Sequence, residues 1–389
     1  MSNPNPVTKN TTGNGVNPYL DGLDIIWNIS TVCPWDCDIC CVDAVHVTRD
    51  KDRVKIRSDG LIRTDYIERD RNLSIYDQAE RFRQDKSLEL TLEEKLRVID
   101  HLEGSRRVKL DFSGGDPLVC SDNLEAIRCA AQKFGRENLG ISTTGAGLSM
   151  KDPEELIPYI SKMEFTYDNA DGRFDPIRPM GYNNQNLRRA SLFRREGLRV
   201  KALMPLHMRN TEEGLLRLLY ENLHHAGIDV VEPMRYFPVG RGFGKTDGIP
   251  TKEQYMKAIE TLMDMETKLG SPIVKLQCAL KGLYDTSGVN PCNLYREGLG
   301  LTSRGILLTD AWAIGPRGEP LDDAFVLGSL VDNHVDELLN NERGKQYWGR
   351  LDENSPHCKI FAYLHSGRED SLERLFDESD PLYVGDRIE

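Results

Sequence analysis

The chain alternates strand-like apolar runs with helical patterns over most of its first 270 residues. Six such units are visible, the first starting with the strand LDIIWNIST and the last ending with the helix TKEQYMKAIETLMDMETKLG. Strands that alternate with helices of this length are typical of a parallel sheet with helices packed outside it. The pattern therefore predicts an α/β protein, a partial (β/α)6 barrel of the TIM type over residues 21–270.

Three regions fall outside this repeat. Residues 1–20 are rich in Asn and lack the apolar segment of a signal peptide, so we expect a poorly ordered tail and a cytoplasmic protein. The polar segment at about residues 42–90 delays the first barrel helix, and we expect this insertion to cover the barrel mouth. The alternation stops near Pro272, which predicts a small C-terminal α+β domain over residues 271–389.

Charge and hydropathy exclude two classes of partner. The formal net charge is −12, and the chain shows no basic footprint of the kind that nucleic-acid binding needs. No apolar run is long enough to cross a membrane. We therefore expect neither nucleic acid nor a membrane as a partner.

Four cysteines occur in the nine residues CPWDCDICC, directly after the first strand. Ligands of parallel sheets bind beyond the carboxyl ends of the strands, so this loop lies where a site is expected. The candidates are a disulfide, a zinc site, a redox pair and an iron–sulfur cluster. A reducing compartment disfavours a disulfide, and structural zinc usually takes two ligand pairs from separate segments. The C-x3-C-x2-C spacing of Cys33, Cys37 and Cys40 favours a cluster, with Cys41 not expected to be a ligand.

This spacing, after the first strand of a partial barrel, resembles that of the radical S-adenosylmethionine (SAM) superfamily. The resemblance covers roughly residues 23–270, although Ile39 stands where the superfamily often has an aromatic residue. It implies that Cys33, Cys37 and Cys40 hold a [4Fe-4S] cluster whose remaining iron binds SAM.

Further strand ends carry the same resemblance. FSGGDP is similar to the Gly-Gly-Glu-Pro motif of the superfamily, with Asp116 in place of the glutamate, and STTGAG and FTYDNADGRFDPIRP are similar to its next two SAM-binding segments. The implied SAM-binding residues are Gly114, Gly115, Asp116, Pro117, Ser142, Thr144, Thr166, Asp168, Asp175 and Arg178. After the sixth strand, RYFPVGRG implies substrate contacts by Arg235 and Tyr236.

The segment CNLYREGLGLTSRGILLTD resembles the start of the SPASM and twitch extensions of this superfamily. It keeps the expected cysteine and glycine, but Asp310 replaces the second cysteine. The resemblance implies an auxiliary [4Fe-4S] cluster, for which the candidate ligands are Cys278, Cys292, Asp310 and Cys358. Cys278 is also a candidate hydrogen donor to a substrate radical.

The resemblance implies an oxidoreductase or epimerase that receives an electron from a flavodoxin- or ferredoxin-type donor. Such an enzyme cleaves SAM to a 5′-deoxyadenosyl radical, which abstracts hydrogen from the substrate. The polar insertion favours a small polar molecule, and we expect a sugar, aminocyclitol or nucleoside of secondary metabolism, for example in antibiotic biosynthesis, to be dehydrogenated or epimerised. The alternatives are modification of a peptide or protein side chain, and a non-catalytic metal-binding scaffold.

Overall fold

The computed structural model describes residues 22–104, 107–170, 177–284, 290–292, 294–295 and 298–384. The predicted tail at residues 1–20 lies outside these ranges. The strands are β1 (Leu23–Ser30), β2 (Val32–Cys33), β3 (Val45–Asp50), β4 (Arg53–Ser58), β5 (Arg63–Glu68), β6 (Val108–Gly114), β7 (Leu139–Ser142), β8 (Lys162–Thr166), β9 (Arg199–Leu206), β10 (Val230–Arg235), β11 (Ile273–Val274), β12 (Leu299–Leu301), β13 (Ile306–Leu308) and β14 (Val326–Ser329). The helices are α1 (Ile75–Gln84), α2 (Leu92–His101), α3 (Ser121–Phe134), α4 (Gly145–Leu148), α5 (Pro153–Leu156), α6 (Tyr182–Arg195), α7 (Glu213–His225), α8 (Lys252–Leu269), α9 (Cys278–Lys281), α10 (Val335–Leu339), α11 (Glu342–Trp348), α12 (Lys359–His365) and α13 (Ser371–Leu375).

A ten-stranded sheet runs through the molecule in the order β11-β10-β9-β8-β7-β6-β1-β12-β13-β14. Its six long barrel strands, β1 and β6 to β10, are all parallel, and the short β11 extends them on one side. Helices lie between successive parallel strands along the chain, as crossover connections require. The predicted partial (β/α)6 barrel is therefore confirmed.

Local sequence signals explain why these elements form where they do. In β9, alternate residues are buried in the main hydrophobic core: Val200, Ala202, Met204 and Leu206. Helix α8 begins with a reciprocal hydrogen-bonded capping box between Thr251 and Gln254. The period of two in the strands and the capped helices are both readable from the chain, because each depends only on neighbouring residues.

The insertion folds into a sheet of its own, and its covering of the barrel mouth stays a prediction. Strands β3, β4 and β5 are antiparallel, and β3 pairs in parallel with β2, the strand that ends at Cys33. A separate small core fills the space beneath this sheet: Val32, Val45, Val47, Val54, Ile56, Ala79, Val119 and Cys120. The insertion is thus attached to the cysteine loop at both of the loop's ends.

The C-terminal segment continues the barrel sheet instead of standing apart from it. Strand β12 pairs in parallel with β1, and β13 and β14 follow antiparallel to it. Helix α9 packs against β10, α10 packs against β14, and α12 packs against α13. Among the described residues, no helix combines the length and apolar character that crossing a membrane would require.

Candidate functional site

The three predicted cluster ligands lie close together beyond the carboxyl end of β1. Cys33 is 5% exposed and Cys37 is 7% exposed, while Cys40 is half-buried. Burial raises the pKa of Cys37 to about 11, the Arg178 guanidinium acts to lower it, and the neighbouring Cys40 raises it further. Burial likewise raises the pKa of Cys33, with further contributions from Asp116, Cys37 and Cys40. All nine cysteines lie in the described part of the chain, and none forms a disulfide.

Three thiols on one loop suit a cluster, because in a cubane each thiolate binds a different iron. Within the described ranges, the one group of three His, Cys, Asp or Glu ligand atoms lying within 4.8 Å of one another is elsewhere, at Asp77, Glu80 and Cys120. Glu80 in that group already pairs with Lys95 at 2.6 Å. The roles of Cys33, Cys37 and Cys40 as cluster ligands stay predictions.

The Gly-Gly turn after β6 packs directly against the start of the cysteine loop. Gly115 N–H donates to Ser30 O at 2.8 Å, and Asp116 N–H donates to Val32 O at 2.9 Å. A Cβ on Gly114 would lie 2.1 Å from Ser30 O, and one on Gly115 would lie 2.3 Å from Val32 O. Gly114 also has φ +123°, which L side chains rarely adopt. The glycines are thus explained by backbone contact with the strand that leads to Cys33.

The Asp116 carboxylate is buried and accepts four hydrogen bonds from within the protein. The donors are the hydroxyls of Thr143 and Thr144 and the N–H groups of Gly147 and Leu118. Burial raises the pKa of Asp116, and these hydrogen bonds oppose the rise. An ionised carboxylate offers about four lone-pair positions, so an ammonium would have to displace or share one of these bonds. Contact between Asp116 and the methionine ammonium stays a prediction; Pro117 is buried beside it.

Thr144, a predicted SAM-binding residue, also contacts the cysteine loop. The Trp35 indole N–H donates to Thr144 Oγ1 at 3.1 Å, and the Trp35 ring meets Tyr182 edge-on with centroids 5.4 Å apart. Tyr182 in turn hydrogen-bonds to Thr166. Two of the predicted SAM-binding hydroxyls, Thr144 and Thr166, therefore lie around one aromatic pair that covers the loop.

Ser142 faces a different environment. Its hydroxyl donates to Asp111 at 3.4 Å, at one end of a charged ladder across the neighbouring strands. The ladder alternates acidic and basic side chains, and its members are Asp111, Lys162, Glu164, Lys201 and Glu232. Burial and Glu164 raise the pKa of Asp111 to about 6, against the lowering effect of Lys162.

Arg178 joins the fourth barrel strand to the cysteine loop. Its Nε and Nη2 atoms donate to Asp168 Oδ2 at 2.9 and 2.6 Å, and its guanidinium lies near enough to Cys37 to act to lower the pKa of that thiol. The backbone reinforces this connection, because Asp38 N–H donates to Ile177 O at 3.0 Å. The other oxygen of Asp168, Oδ1, is buried with no hydrogen-bond partner in the described structure. Asp175 lies outside the described residues.

The structure contradicts the expectation that Arg235 lies at an open mouth. Its side chain is 1% exposed and binds Asp380 with both terminal nitrogens, at 2.7 and 2.9 Å. The guanidinium also stacks 3.4 Å from the centroid of Phe361. Tyr236 is buried too, and burial raises its pKa to about 12. Arg235 therefore connects the barrel to the C-terminal segment, and substrate contact by Arg235 and Tyr236 stays a prediction.

The predicted auxiliary ligands also lie in one neighbourhood. Burial raises the pKa of Cys358 well above its ordinary value, and Cys292 and Cys278 contribute to the rise. Cys292 interacts in the same way with Asp310, whose pKa burial raises to about 7. The Cys358 N–H donates to Asp380 at 3.0 Å, so the Arg235 ion pair lies directly beside this group. Their roles as ligands stay predictions.

One residue that the sequence interpretation missed is Arg241, in the turn after β10. It is 7% exposed and donates to the carbonyls of Cys37 and Ala44 and to the carboxylate of Asp43. The only signal in the chain is GRG after the sixth strand, which is too short to indicate such a role.

Comparison with known proteins gives matches to structures alone. No family model and no curated protein matches the sequence. Native anSMEcpe with bound AdoMet matches with a TM-score of 0.52 and 15% identity over 84% of this chain and 83% of its own. Streptococcus suis SuiB bound to S-adenosylmethionine matches with a TM-score of 0.58 and 12% identity over 85% of this chain and 68% of its own.

Identities this low concern the fold alone. The chain has the fold of radical SAM enzymes with a SPASM-type C-terminal domain, as its motifs predict. The same fold is matched by anSMEcpe with bound AdoMet and Cp18Cys peptide, with a TM-score of 0.54 over 92% of this chain and 89% of that one.

Proposed function

We propose that the protein is a radical SAM enzyme that modifies a side chain of a peptide or protein. The assignment as a radical SAM enzyme rests on one observation. Cys33, Cys37 and Cys40 lie together beyond the first strand of a barrel with this fold. A [4Fe-4S] cluster with SAM supplies, when bound, one-electron cleavage of the SAM C5′–S bond to methionine and a 5′-deoxyadenosyl radical, which takes a hydrogen atom from the substrate.

The residues present fit such a group. Three thiols on one loop provide ligands for three irons, whereas structural zinc usually takes two ligand pairs from separate segments. Among the described residues, no donor reaches Asp168 Oδ1, a buried oxygen of the same carboxylate that holds Arg178. A hydroxyl or ammonium group of SAM is the kind of donor that would satisfy it.

The protein's own residues position and protect this site. Arg178, held by Asp168, places a positive charge near the Cys37 sulfur, and charges close to a cluster's ligands tune its reduction potential. The edge-on contact between Trp35, in the loop, and Tyr182, in α6, fixes one side of the loop against the barrel. The electron comes from a reduced flavodoxin- or ferredoxin-type protein.

The structural comparisons favour a peptide over a small molecule as substrate. One match is anSMEcpe with bound AdoMet and Cp18Cys peptide, and another is SuiB bound to the precursor peptide SuiA, with a TM-score of 0.56 over 85% of this chain. The expectation of a sugar, aminocyclitol or nucleoside rests on the polar insertion, which forms a sheet beside the cysteine loop. That expectation stays a prediction without a supporting contact.

The C-terminal cysteines support a second cluster in the proposed enzyme. Cys292, Cys358 and Cys278 lie near one another, and Asp310 lies beside Cys292. A carboxylate oxygen is a harder ligand than a thiolate, so such a cluster would differ in potential from one with four cysteines.

SAM cleavage tests the central proposal. Anaerobically reconstituted protein with dithionite and SAM is expected to form 5′-deoxyadenosine, measured by liquid chromatography and mass spectrometry. Cys33→Ala, Cys37→Ala and Cys40→Ala are each expected to abolish it, because each removes a cluster ligand. Cys41→Ala, in the same loop, is the matched control and is expected to retain it. Absence of 5′-deoxyadenosine from iron-loaded wild-type protein would refute the proposal.

The substrate class needs a separate experiment. Extracts of the source organism are separated by size, and each fraction is tested for stimulation of 5′-deoxyadenosine formation above the rate without substrate. We expect the stimulating fraction to lose its effect after protease treatment. Stimulation that survives the protease and stays with the smallest molecules would favour the sugar-type substrate.

Iron analysis tests the second cluster. Two cubanes correspond to about eight irons per chain, and one to about four. We expect the Cys292→Ala/Cys358→Ala variant to fall from the first value to the second. About four irons in both proteins would leave the C-terminal domain without a cluster.

A further inference from the structure

The cysteine loop is held from inside by a single buried side chain. Arg241 Nη1 donates to Cys37 O at 2.6 Å, Nη2 donates to Ala44 O, and Nε donates to Asp43 Oδ1 at 2.9 Å. The arginine is 7% exposed. Its three donor directions are thus used by three residues within eight positions of one loop.

The backbone of the same turn continues this contact. Arg241 N–H donates to Cys40 O at 2.8 Å, so two of the three predicted ligands have their carbonyls bound by one residue. Gly240 has φ +56°, and a Cβ there would lie 2.3 Å from Cys41 O. The turn after β10 therefore fits closely against the loop over residues 37–44.

Asp43 connects this contact to the insertion. Its second oxygen, Oδ2, accepts from Gly60 N–H at 2.9 Å, in the turn that joins β4 to β5. Asp43 itself has φ +48°, an uncommon conformation for a residue with a side chain. One carboxylate thus binds the barrel turn on one side and the insertion on the other.

We propose that Arg241 is a positioning residue that holds the loop in the conformation in which Cys37 and Cys40 present their thiols, and that Asp43 couples it to the insertion. Buried carbonyls without donors are costly, and a planar guanidinium satisfies two of them and a carboxylate at once. A lysine is a point charge and cannot reproduce this fork. The effect of Arg241 on the conformation of the loop does not depend on the proposed function. Its effect on a bound cluster rests on the proposed function.

Hydrogen exchange of the metal-free full chain tests the effect on the loop. The amides of Asp38 and Asp43 donate to Ile177 O and Cys40 O, so their exchange reports on the loop's opening. In Arg241→Met we expect exchange of peptides covering residues 36–44 to become about tenfold faster or more, because several charge-assisted hydrogen bonds are lost. Arg241→Lys, which keeps the charge, is expected to show a smaller increase, and Asp43→Asn a still smaller one.

Arg217→Met is the matched control, since Arg217 also donates three hydrogen bonds, to Glu213 and Asp264, but on the surface of α7 and α8. We expect its loop exchange to equal that of the wild type. Wild-type exchange in both Arg241 variants would overturn the proposal. If Arg241→Met does not fold, loop exchange is measured in Arg241→Lys and Asp43→Asn instead. Exchange at the wild-type rate in both of these variants would likewise overturn the proposal.

A spectroscopic readout separates positioning from general stability. In reconstituted Arg241→Lys, we expect the reduced barrel cluster to show an altered electron paramagnetic resonance spectrum and a weaker spectral response to SAM than Arg217→Met shows. If the spectrum is unchanged but loop exchange is faster, Arg241 stabilises the metal-free loop without positioning the cluster ligands. That result would contradict the proposed positioning role. A wild-type protein that takes up no cluster would refute the proposed function but leave the exchange result to decide the loop contact.

Discussion

Replacing Arg235 provides a direct test of how the barrel is joined to its C-terminal segment. Both terminal nitrogens of Arg235 bind Asp380, which is fully buried and also accepts from the N–H groups of Cys358 and Leu382, each at 3.0 Å. Arg235→Met removes the cation and leaves the carboxylate enclosed. The same change removes the stacking of the guanidinium on Phe361.

The loss of stability expected in Arg235→Met comes from leaving the Asp380 carboxylate buried without a partner, rather than from the lost attraction between the two side chains. Breaking a buried ion pair on one side costs about 3–5 kcal/mol of unfolding free energy, because the remaining charge has no partner. Asn at position 380 is neutral, and its oxygen still accepts from the Cys358 N–H. We therefore expect Arg235→Met/Asp380→Asn to recover about 2 kcal/mol relative to Arg235→Met alone.

The pH dependence has a defined sign. Burial acts to raise the pKa of Asp380, but the charge and hydrogen bonds of Arg235 outweigh it, so the pKa lies below the ordinary value. In the wild type, ionised Asp380 contributes stability above the pKa that this residue has in the unfolded chain. That stability is lost as pH falls through the lower pKa of Asp380 in the folded protein. In Arg235→Met only the Cys358 and Leu382 N–H groups still oppose the effect of burial, so the pKa of Asp380 rises and the carboxylate takes up a proton more readily. The difference in stability between variant and wild type is therefore expected to shrink as pH falls from about 7 to about 5.

Urea unfolding of the metal-free chain measures these effects. Tryptophan fluorescence is a suitable signal, because Trp312 stacks on Phe237 with centroids 4.6 Å apart, next to Phe361. Arg217→Met is again the control, and we expect a change within about 0.5 kcal/mol, since exposed ion pairs contribute little. A loss below about 1 kcal/mol in Arg235→Met, or a double variant no more stable than the single one, would refute this reasoning.

Three further predictions concern the barrel. Arg178→Gln is expected to shift the reduction potential of the barrel cluster to more negative values in a redox titration, because the Cys37 sulfur loses a neighbouring positive charge; an unchanged potential would contradict this electrostatic effect. Asp116→Ala is expected to raise the apparent Kd for SAM about tenfold or more, and a loss of stability with unchanged Kd would place the ammonium contact elsewhere. Burial and Glu164 raise the pKa of Asp111 to about 6 from an ordinary 3.8, so the free energy of unfolding should fall as pH rises between these values. In urea unfolding, Asp111→Asn should make the free energy of unfolding less dependent on pH in this range. An unchanged pH dependence would assign it to other groups.

The sequence predicts the barrel well because the relevant signals are local. Alternating burial in β9 and the capping box of α8 both appear in the chain as spacing between near neighbours. The insertion was predicted less well. Strands β3 and β4 do alternate buried apolar and polar residues, but each is short and highly charged, and pairing between β3, β4 and β5 stabilises them.

The same distinction holds for the candidate site. The spacing of Cys33, Cys37 and Cys40 identifies a cluster loop from the chain alone, because all three thiols lie on one short segment. The directions of the polar side chains around them depend on distant partners. Arg235 binds Asp380 145 positions away, and Arg241 binds Cys37 204 positions away. A buried charge must be neutralised by whichever group the fold brings beside it, so only the tertiary structure decides whether such a residue meets a substrate or another part of the protein.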